Sequence, residues 1–458
     1  MRDPTDNFER RIVLIGLGSG IATIAGCLDD DPEEPAAPED DEVDDDIEDD
    51  AEPADDDVED DEEPVDEDDD VEEASLVVTA VWTEGEQEDF NAVLDHVSEQ
   101  TGHEIEYHPR DTEELLTGTR MDFEAGTTPA DIVVFPSSAR VQTDGDAGHL
   151  EDVSGVWDPE DFATAPDPVS VDDGVFAAPF GMDLKPGFWY RLSFFDEHGL
   201  SEPTDYDEFI ALLDEIDDIE DVEAPLASGN GVGWPLSDVV EAYILRQENG
   251  ADLQEDLIAG EAAFTDDRVY TAFEEVQETL QAGYWSELRE FGVQYEHFWE
   301  NSIPLYFMGS WTPAFGAIED PDDLGYFSLP GVEAWVAAIN WLVVPTYGEN
   351  IDASMDALEH IVSADGQRVW VERGGFIPSN EEISPDAFEI DVMAQLLDDA
   401  GEMRLVDDLD DALGDPFQSS FWAQLLGLWT EPDSDIDSII ATLDDAHQET
   451  VGNDDEEA

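Results

Sequence analysis

Tryptophan side chains recur beside carboxylates at points of the chain where a strand or a loop is predicted to end. Trp82 and Glu84 follow a β-branched run, Trp234 lies in the Gly-rich segment SGNGVGWPLSD, and Trp311 follows a Gly-Ser pair. Flat aromatic rings stack on the apolar faces of ring-shaped ligands, and carboxylates, amides and guanidinium groups hydrogen-bond to hydroxyls. These residue types indicate a binding site for a small ligand with flat apolar faces and hydrogen-bonding groups.

Further polar and aromatic residues complete the predicted ligand-binding set, namely Ser138, Asp183, Asn340, Trp341 and Arg373. Ser138 ends a predicted strand, where a helix cap is an equal alternative. Asp183 lies at a predicted crossover between two parts of the fold. Asn340 and Trp341 belong to a long apolar run, so a place in the core is the alternative for Trp341. For Arg373 the alternative is an ion pair with a surface acid.

No motif for catalysis is found in the sequence. The chain has no G-x-S-x-G, H-E-x-x-H, P-loop or Cys/His metal-binding pattern. A pair of carboxylates for glycoside hydrolysis stays open, because spacing in the sequence does not determine their separation in space. We therefore predict a binding protein with no catalytic residues, no cofactor and no metal.

The elements that must position these residues alternate between strands and helices. SLVVTAV, ADIVVF, GFWYRL, PLYFM and AWVAAINWLVV read as strands, and DYDEFIALLDEI and DDRVYTAFEEVQETLQA read as amphipathic helices. This alternation predicts an α/β fold with a mostly parallel sheet that binds ligands at the carboxyl ends of its strands. Roughly 380 folded residues exceed what one core usually supports, so we expect two lobes.

Acidic residues dominate the composition. The 458 residues include 123 Asp and Glu against 14 Lys and Arg, for a net charge of -109, and Lys185 is the single lysine. Such a surface repels nucleic acid, which excludes direct nucleic-acid binding. It is typical of a halophilic, haloarchaeal protein whose charges are screened by salt, and an acid-rich calcium-binding module is the alternative. We expect Lys185 to pair with a carboxylate rather than with the ligand.

The N-terminal residues read as an export signal followed by a tether. Arg10 and Arg11 precede an apolar run that ends shortly before Cys27, the only cysteine. This pattern predicts a twin-arginine signal with a lipobox over residues 1–27, and lipidation of Cys27. Residues 28–74 are mostly Asp and Glu, interrupted mainly by Pro, Ala, Val and Ile and without Lys or Arg, which predicts a disordered tether. The alternative for Cys27 is a chance cysteine at the end of a signal-anchor helix.

The order of these segments resembles that of extracellular solute-binding proteins of ABC importers, in their carbohydrate-binding, maltose-binding-protein-like group. The resemblance is carried by VVTAVW, ADIVVF, GFWYRLSFFDEHGLSEPTDYDEFIALLDEI, FTDDRVYTAFEEVQETLQAGY, YFMGSWTPA and GGFIPSN. YFMGSWTPA matches the family's A-M-x-x-G-x-W segment, which implies that Trp311 stacks on a sugar ring. The chain departs from the family at Ala337 and Ala338, where many relatives carry a glycine pair.

The resemblance implies a type II periplasmic-binding-protein fold, with hinge crossovers and a ligand cleft between two lobes. We expect lobe 1 over residues 75–182 with about 311–350, lobe 2 over 183–310 with about 351–450, and an acidic tail over 451–458. It also implies a monomeric receptor that is anchored on the outer face of the membrane and delivers its solute to an ABC permease.

Our hypothesis from the sequence is a lipid-anchored receptor that captures a sugar or an oligosaccharide by lobe closure. Within the same class, a polyamine is the alternative solute, because its positive charge would suit Glu84 and Asp183. From other classes, a secreted polysaccharide-active enzyme or an adhesion protein would also use exposed tryptophans. Turnover without a permease would favour the enzyme, and binding only to polymer would favour adhesion.

Overall fold

The computed structural model describes residues 73–453 except 111–113, 173, 230–232 and 375. Cys27, most of the predicted tether and the end of the acidic tail lie outside the described residues. Within the described part, the strands are β1 (Ser75–Thr79), β2 (Glu104–Tyr107), β3 (Ile132–Phe135), β4 (Ser170–Val171), β5 (Gly174–Val175), β6 (Ala178–Lys185), β7 (Gly187–Arg191), β8 (Leu226–Ala227), β9 (Leu305–Met308), β10 (Leu324–Phe327), β11 (Ala334–Val343), β12 (Ile377–Pro378) and β13 (Arg404–Asp407).

Helices alternate with these strands along the chain. In the described part they are α1 (Glu84–Thr101), α2 (Thr119–Glu124), α3 (Ser138–Asp146), α4 (Leu192–His198), α5 (Tyr206–Asp217), α6 (Trp234–Leu245), α7 (Gly250–Ile258), α8 (Asp267–Ala282), α9 (Phe291–Trp299), α10 (Ile351–Val362), α11 (Ala364–Val371), α12 (Asp391–Ala400), α13 (Leu409–Leu413), α14 (Phe417–Thr430) and α15 (Ile436–Asn453). None of these helices combines the length and the apolar character that crossing a membrane requires.

The first lobe is built on the larger sheet, with the strand order β12-β6-β11-β3-β1-β2 and with β13 beside the start of β11. β1 and β3 are short β-branched runs with buried side chains, which suits strands covered on both faces. Helices α1, α10 and α11 pack against one another, and their apolar faces meet side chains of the sheet in one cluster. Phe90 of α1 and Trp370 of α11 lie at the centre of this core.

A smaller sheet with the order β10-β7-β9-β8 forms the second lobe. Its apolar core joins Phe188 of β7 to Phe209 of α5 and Tyr243 of α6. Helices α14 and α15 pack on each other and on α6 and α8, which completes this lobe. The amphipathic helices predicted from the segments around Phe209 and Phe273 are confirmed as α5 and α8.

The chain passes between the lobes where strands of the two sheets follow each other directly. β6 ends at Lys185 and β7 begins at Gly187, so Pro186 alone separates the two strands. β10 of the second sheet leads in turn through a short loop into β11, which pairs antiparallel with β6. A further crossing follows β13, since α13 contacts both α3 and α14. These crossings place residues 183–185 at the junction of the lobes.

Two expectations about the fold differ from the structure. The sheets are mixed rather than mostly parallel, because β11 returns from the second lobe and runs antiparallel to both β3 and β6. Helices α10 and α11 were expected in lobe 2, but their apolar side chains pack on α1 and on the first sheet. The alternation of strands and helices along the sequence does not reveal whether two neighbouring strands run parallel when a long segment of the other lobe lies between them in the chain.

Candidate functional site

Two polar side chains meet where β6 and β11 cross between the lobes. The antiparallel register pairs Ala338 with Asp183 and Asn340 with Gly181, so the two side chains are diagonal neighbours. Asn340 Nδ2 donates a hydrogen bond of 3.0 Å to Asp183 Oδ2. Burial raises the pKa of Asp183, while Lys185 and the bond from Asn340 act in the opposite direction. The pair offers hydrogen-bonding groups at the centre of the crossing strands.

Lys185 lies on the same face of β6 as Asp183, because side chains two residues apart on a strand share a face. Its Nζ donates a hydrogen bond of 3.1 Å to Asp238 Oδ2, and both side chains are buried. Burial alone would lower the pKa of Lys185, but the attraction of Asp238 and other nearby carboxylates raises it above its ordinary value. Lys185 is therefore charged, and it pairs with a carboxylate as the sequence analysis expected.

Two tryptophan rings flank the Lys185 ammonium group. Nζ lies 4.5 Å from the ring centroid of Trp311 and 5.2 Å from that of Trp234. The rings themselves are 5.8 Å apart and inclined by 59°. A cation over indole faces is favourable, and a desolvated contact of this kind contributes about 2 kcal/mol. We name Asp183, Lys185, Trp234, Trp311 and Asn340 the junction site.

Local sequence fixes both tryptophans. The ring of Trp311 lies across Gly309, where any Cβ would collide with it. Ser310 Oγ accepts a hydrogen bond of 3.2 Å from Leu184 N, which holds this segment against β6. Trp234 begins α6 directly after Gly233, whose φ of +105° suits glycine. The strand break that the sequence predicted at Gly309 therefore delivers Trp311 to the junction.

Three further buried carboxylates form a cluster near Lys185. Asp238 and Glu241 belong to α6, and Asp408 is the N-cap residue of α13. All three are buried, and one oxygen of each lies within 4.8 Å of one oxygen of each of the others. Burial raises the pKa of Asp238 to about 7 and that of Glu241 well above its ordinary value, with neighbouring carboxylates adding to the effect.

Two more acids of α13 have hydrogen-bond donors of their own. Trp422 Nε1 donates to Asp410 Oδ2 at 2.5 Å, and Gln418 Nε2 donates to Asp411 Oδ1 at 2.9 Å. Burial and the nearby Asp408 raise the pKa of Asp411 to about 8. Ser137 Oγ donates to the backbone oxygen of Asp411 at 2.7 Å, which attaches α13 to the first lobe.

The structure brings together part of the predicted ligand-binding set. Asp183, Trp234, Trp311 and Asn340 all belong to the junction site. Ser138 lies nearby, and it lines a cavity about one water molecule in size together with residues of β11 and α13. Its neighbour Ser137 is the residue that caps α3, accepting a hydrogen bond from Arg140 N at 3.2 Å.

Other predicted site residues serve the core or the surface. Trp82 was expected in the cleft, but its buried ring packs 4.7 Å from Phe90 and 4.9 Å from Trp370. Trp341 is also buried in the core. Arg373 Nε donates to Asp89 Oδ1 at 2.6 Å, which is the ion pair that stood as its alternative role. Glu84 opens α1, and its side chain lies outside the described part.

Asp238, Glu241 and Asp408 were not foreseen from the sequence. A signal was available for the first two, since they stand three residues apart within the otherwise apolar segment WPLSDVVEAYIL. Acids inside a buried helix need a partner or a ligand, because isolated buried charge is costly. Asp408 lies in the run DDLDDAL, which does not stand out in a chain so rich in acid.

The sequence and fold are similar to those of known solute receptors. Residues 82–368 match the family described as bacterial extracellular solute-binding protein. An uncharacterized ABC transporter extracellular-binding protein of Pyrococcus horikoshii is 38% identical over 381 residues, which is 82% of this chain and 88% of that one. The solved bacterial receptor AcbH superposes with a TM-score of 0.73 at 17% identity, covering 82% of this chain and 98% of its own. A chitin oligosaccharide binding protein gives 0.71 at 16%, with coverages of 82% and 99%.

Proposed function

This chain belongs to the bacterial extracellular solute-binding protein family, and from that premise we propose that it captures a sugar or an oligosaccharide at the junction site and delivers it to an ABC permease. The observation that carries the proposal is the pair Trp234 and Trp311 beside the hydrogen-bonded pair Asp183 and Asn340. Indole faces suit the apolar faces of a sugar ring, and the carboxylate and amide suit its hydroxyls.

Relatives support a carbohydrate as the solute. The names of AcbH and of the chitin oligosaccharide binding protein describe receptors for b-D-galactopyranose and for chitin oligosaccharide. The relative from Pyrococcus horikoshii is named as the extracellular-binding protein of an ABC transporter, which supports a permease as the partner. No step of this function requires a chemical reaction, so we propose that the protein acts without catalysis. We also propose that the receptor is a monomer.

A tethered location at the cell surface follows from the N-terminal sequence. The twin arginines, the apolar run and the cysteine support export and lipidation at Cys27, and the acidic segment supports a spacer between the membrane and the lobes. We expect Cys27→Ser to release the protein from the membrane fraction into the medium. Full retention of this variant in the membrane would contradict the anchor.

A cationic solute of the polyamine class is the second candidate. It is favoured by the carboxylates around the junction, where Asp183, Asp238 and Asp408 face the single ammonium group of Lys185. An ammonium group of the solute would bind both carboxylates and indole faces. A polyamine has no ring to stack on the indole faces. Comparing the affinity of the protein for a polyamine with its affinity for a sugar therefore distinguishes the two candidates.

Thermal unfolding of the protein in high salt against a panel of sugars, oligosaccharides and polyamines tests these proposals. A ligand that binds only the native state stabilises it by about 2.7 kcal/mol at a hundredfold excess over Kd. We expect a saturable rise in Tm with a sugar, without turnover. A rise with polyamines alone would favour the second candidate, and product formation would favour an enzyme.

A further inference from the structure

The three buried carboxylates near Lys185 offer a cluster of oxygen atoms beside the junction site that could coordinate a cation. Asp238, Glu241 and Asp408 come from two elements, α6 and the N-cap of α13, that are far apart in the sequence. We propose that these three residues bind a hard divalent cation, Ca²⁺ or Mg²⁺. This cation site shares no residue with the junction site as named above, whereas a polyamine solute would compete with the ion for Asp238 and Asp408.

The spacing of the oxygens suits one ion. One oxygen of each residue lies within 4.8 Å of the others. Two oxygens on opposite sides of one Ca²⁺ at about 2.4 Å are about 4.8 Å apart, so this limit is the upper end of what a single Ca²⁺ bridges, and the smaller Mg²⁺ requires the side chains to move closer together. The ligand set contains neither nitrogen nor sulfur, and an all-oxygen set prefers hard cations over zinc or copper.

An unsatisfied oxygen on one member of the cluster is a second observation that supports the site. Glu241 Oε2 accepts hydrogen bonds from Gln254 Nε2 at 2.8 Å and from Leu409 N at 2.9 Å, which fixes the side chain. Within the part of the chain that the structure describes, its other oxygen, Oε1, has no hydrogen-bond partner, although the residue is fully buried. A buried, unsatisfied carboxylate oxygen is costly, and a coordinated cation removes that cost.

Gln254 adds a neutral oxygen to the same place. Its amide nitrogen donates to Glu241 and to the backbone oxygen of Asp407, while its buried Oε1 has no hydrogen-bond partner among the described residues. Amide oxygens complete the coordination of Ca²⁺ in proteins, so we count Gln254 as the additional neutral ligand. The hydrogen bond between Gln254 and Glu241 holds the two side chains together and links α7 to α6.

The charge balance favours a divalent ion. Asp238, Glu241 and Asp408 carry three negative charges when ionised, and Lys185 supplies one positive charge through its contact with Asp238. Two negative charges then remain in a buried place, and one divalent cation balances them.

Binding of the ion would hold α13 on α6. Leu409 and Leu413 of α13 pack in the core of the second lobe with residues of α6, and the hydrogen bond from Ser137 to Asp411 attaches the same helix to the first lobe. Asp238 also contacts Lys185, which lies over Trp311. We therefore expect the cation to stabilise the arrangement of the junction site even without solute.

Titration calorimetry of the full chain, stripped with chelator, tests the proposal without any solute present. The surface acids are screened by working in about 2 M KCl, where the Debye length is below about 3 Å. We expect CaCl₂ or MgCl₂ to saturate one site and to raise Tm. Glu241→Gln and Asp408→Asn should each weaken the affinity at least tenfold, while Glu99→Gln, at an exposed position of α1, should leave it unchanged.

The variants also separate a lost site from a lost fold. Glu241→Gln keeps the shape of the side chain, and its circular dichroism and metal-free Tm report whether it folds. Asp408→Asn provides a second, independent change on the other element. Equal uptake by all variants, or uptake that never saturates at one ion, would overturn the proposal and assign binding to the surface acids. Saturation by spermidine but by neither metal would overturn it as well.

Discussion

Lys185 Nζ lies 3.1 Å from Asp238 Oδ2 in a buried ion pair that joins the last residue of β6 to helix α6. The pair sits where the chain crosses from the first lobe to the second. It therefore ties the crossing strand to the second lobe at the same point where the two indole rings flank the ammonium group.

Removal of Lys185 should destabilise the protein strongly. Lys185→Met leaves Asp238 buried without its cation, and breaking a buried pair in this way costs about 3–5 kcal/mol. Denaturant unfolding of the metal-free protein measures this change. The double variant Lys185→Met/Asp238→Leu should recover only part of the loss, because it removes the unpaired charge of Asp238 while Asp183 and Asp408 still lack their cation. A single variant as stable as the unmodified protein would contradict the role of the pair.

Gly309→Ala should damage solute binding more than folding. A methyl group at this position collides with the ring of Trp311, so the indole must leave the junction site. We expect at least a tenfold loss of solute affinity in calorimetry. Gly427→Ala is the matched control, since its Cβ would meet open space on an exposed face of α14. Unchanged affinity in Gly309→Ala would show that the position of Trp311 does not matter.

Trp82→Ala should lower the stability of the fold rather than the affinity for solute. Its ring is buried against Phe90 and Trp370, and truncation of a large aromatic core side chain costs about 3–5 kcal/mol. The affinity of the folded fraction for solute should stay within twofold. Urea unfolding and calorimetry measure the two quantities separately. Loss of affinity without loss of stability would indicate that Trp82 contacts the solute in the cleft.

Arg373→Ala should change neither property by much. Its guanidinium pairs with Asp89 on a partly exposed surface, and such pairs contribute about 0–1 kcal/mol. We expect solute affinity within twofold of the unmodified protein and a small decrease in Tm. A tenfold loss of affinity would mean that Arg373 contacts the solute after all.

Much of the fold could be predicted from local patterns. The buried run of β3 and the spacing of Phe209, Leu212, Leu213 and Ile216 in α5 identify these elements without tertiary information. The cap of α5 is Asp205, which accepts the hydrogen bond from Glu208 N, while Thr204 donates to the Glu208 carboxylate.

The site could be predicted only in part, because its contacts are long-range. Asp183 and Asn340 meet through the register of β6 against β11, which shifts between Asn340 and Trp341. This register cannot be predicted from the sequence of either strand alone. Trp82 does follow the carboxyl end of β1 as expected, yet its ring turns into the core formed by α1 and α11. The position of a residue in the sequence indicates where its backbone lies, whereas packing decides which way the ring points.

Trp311 offers the most direct test of the central claim, that this receptor holds its solute at the junction site. Calorimetry in high salt should compare the unmodified chain, Trp311→Ala and Trp299→Ala, using the sugar that gives the largest thermal shift. Trp299 is a matched control, because it is another half-buried tryptophan under a cation, with Arg191 at 4.2 Å in place of Lys185. We predict one saturable site that is lost in Trp311→Ala and kept in Trp299→Ala. Full affinity in Trp311→Ala would contradict the account.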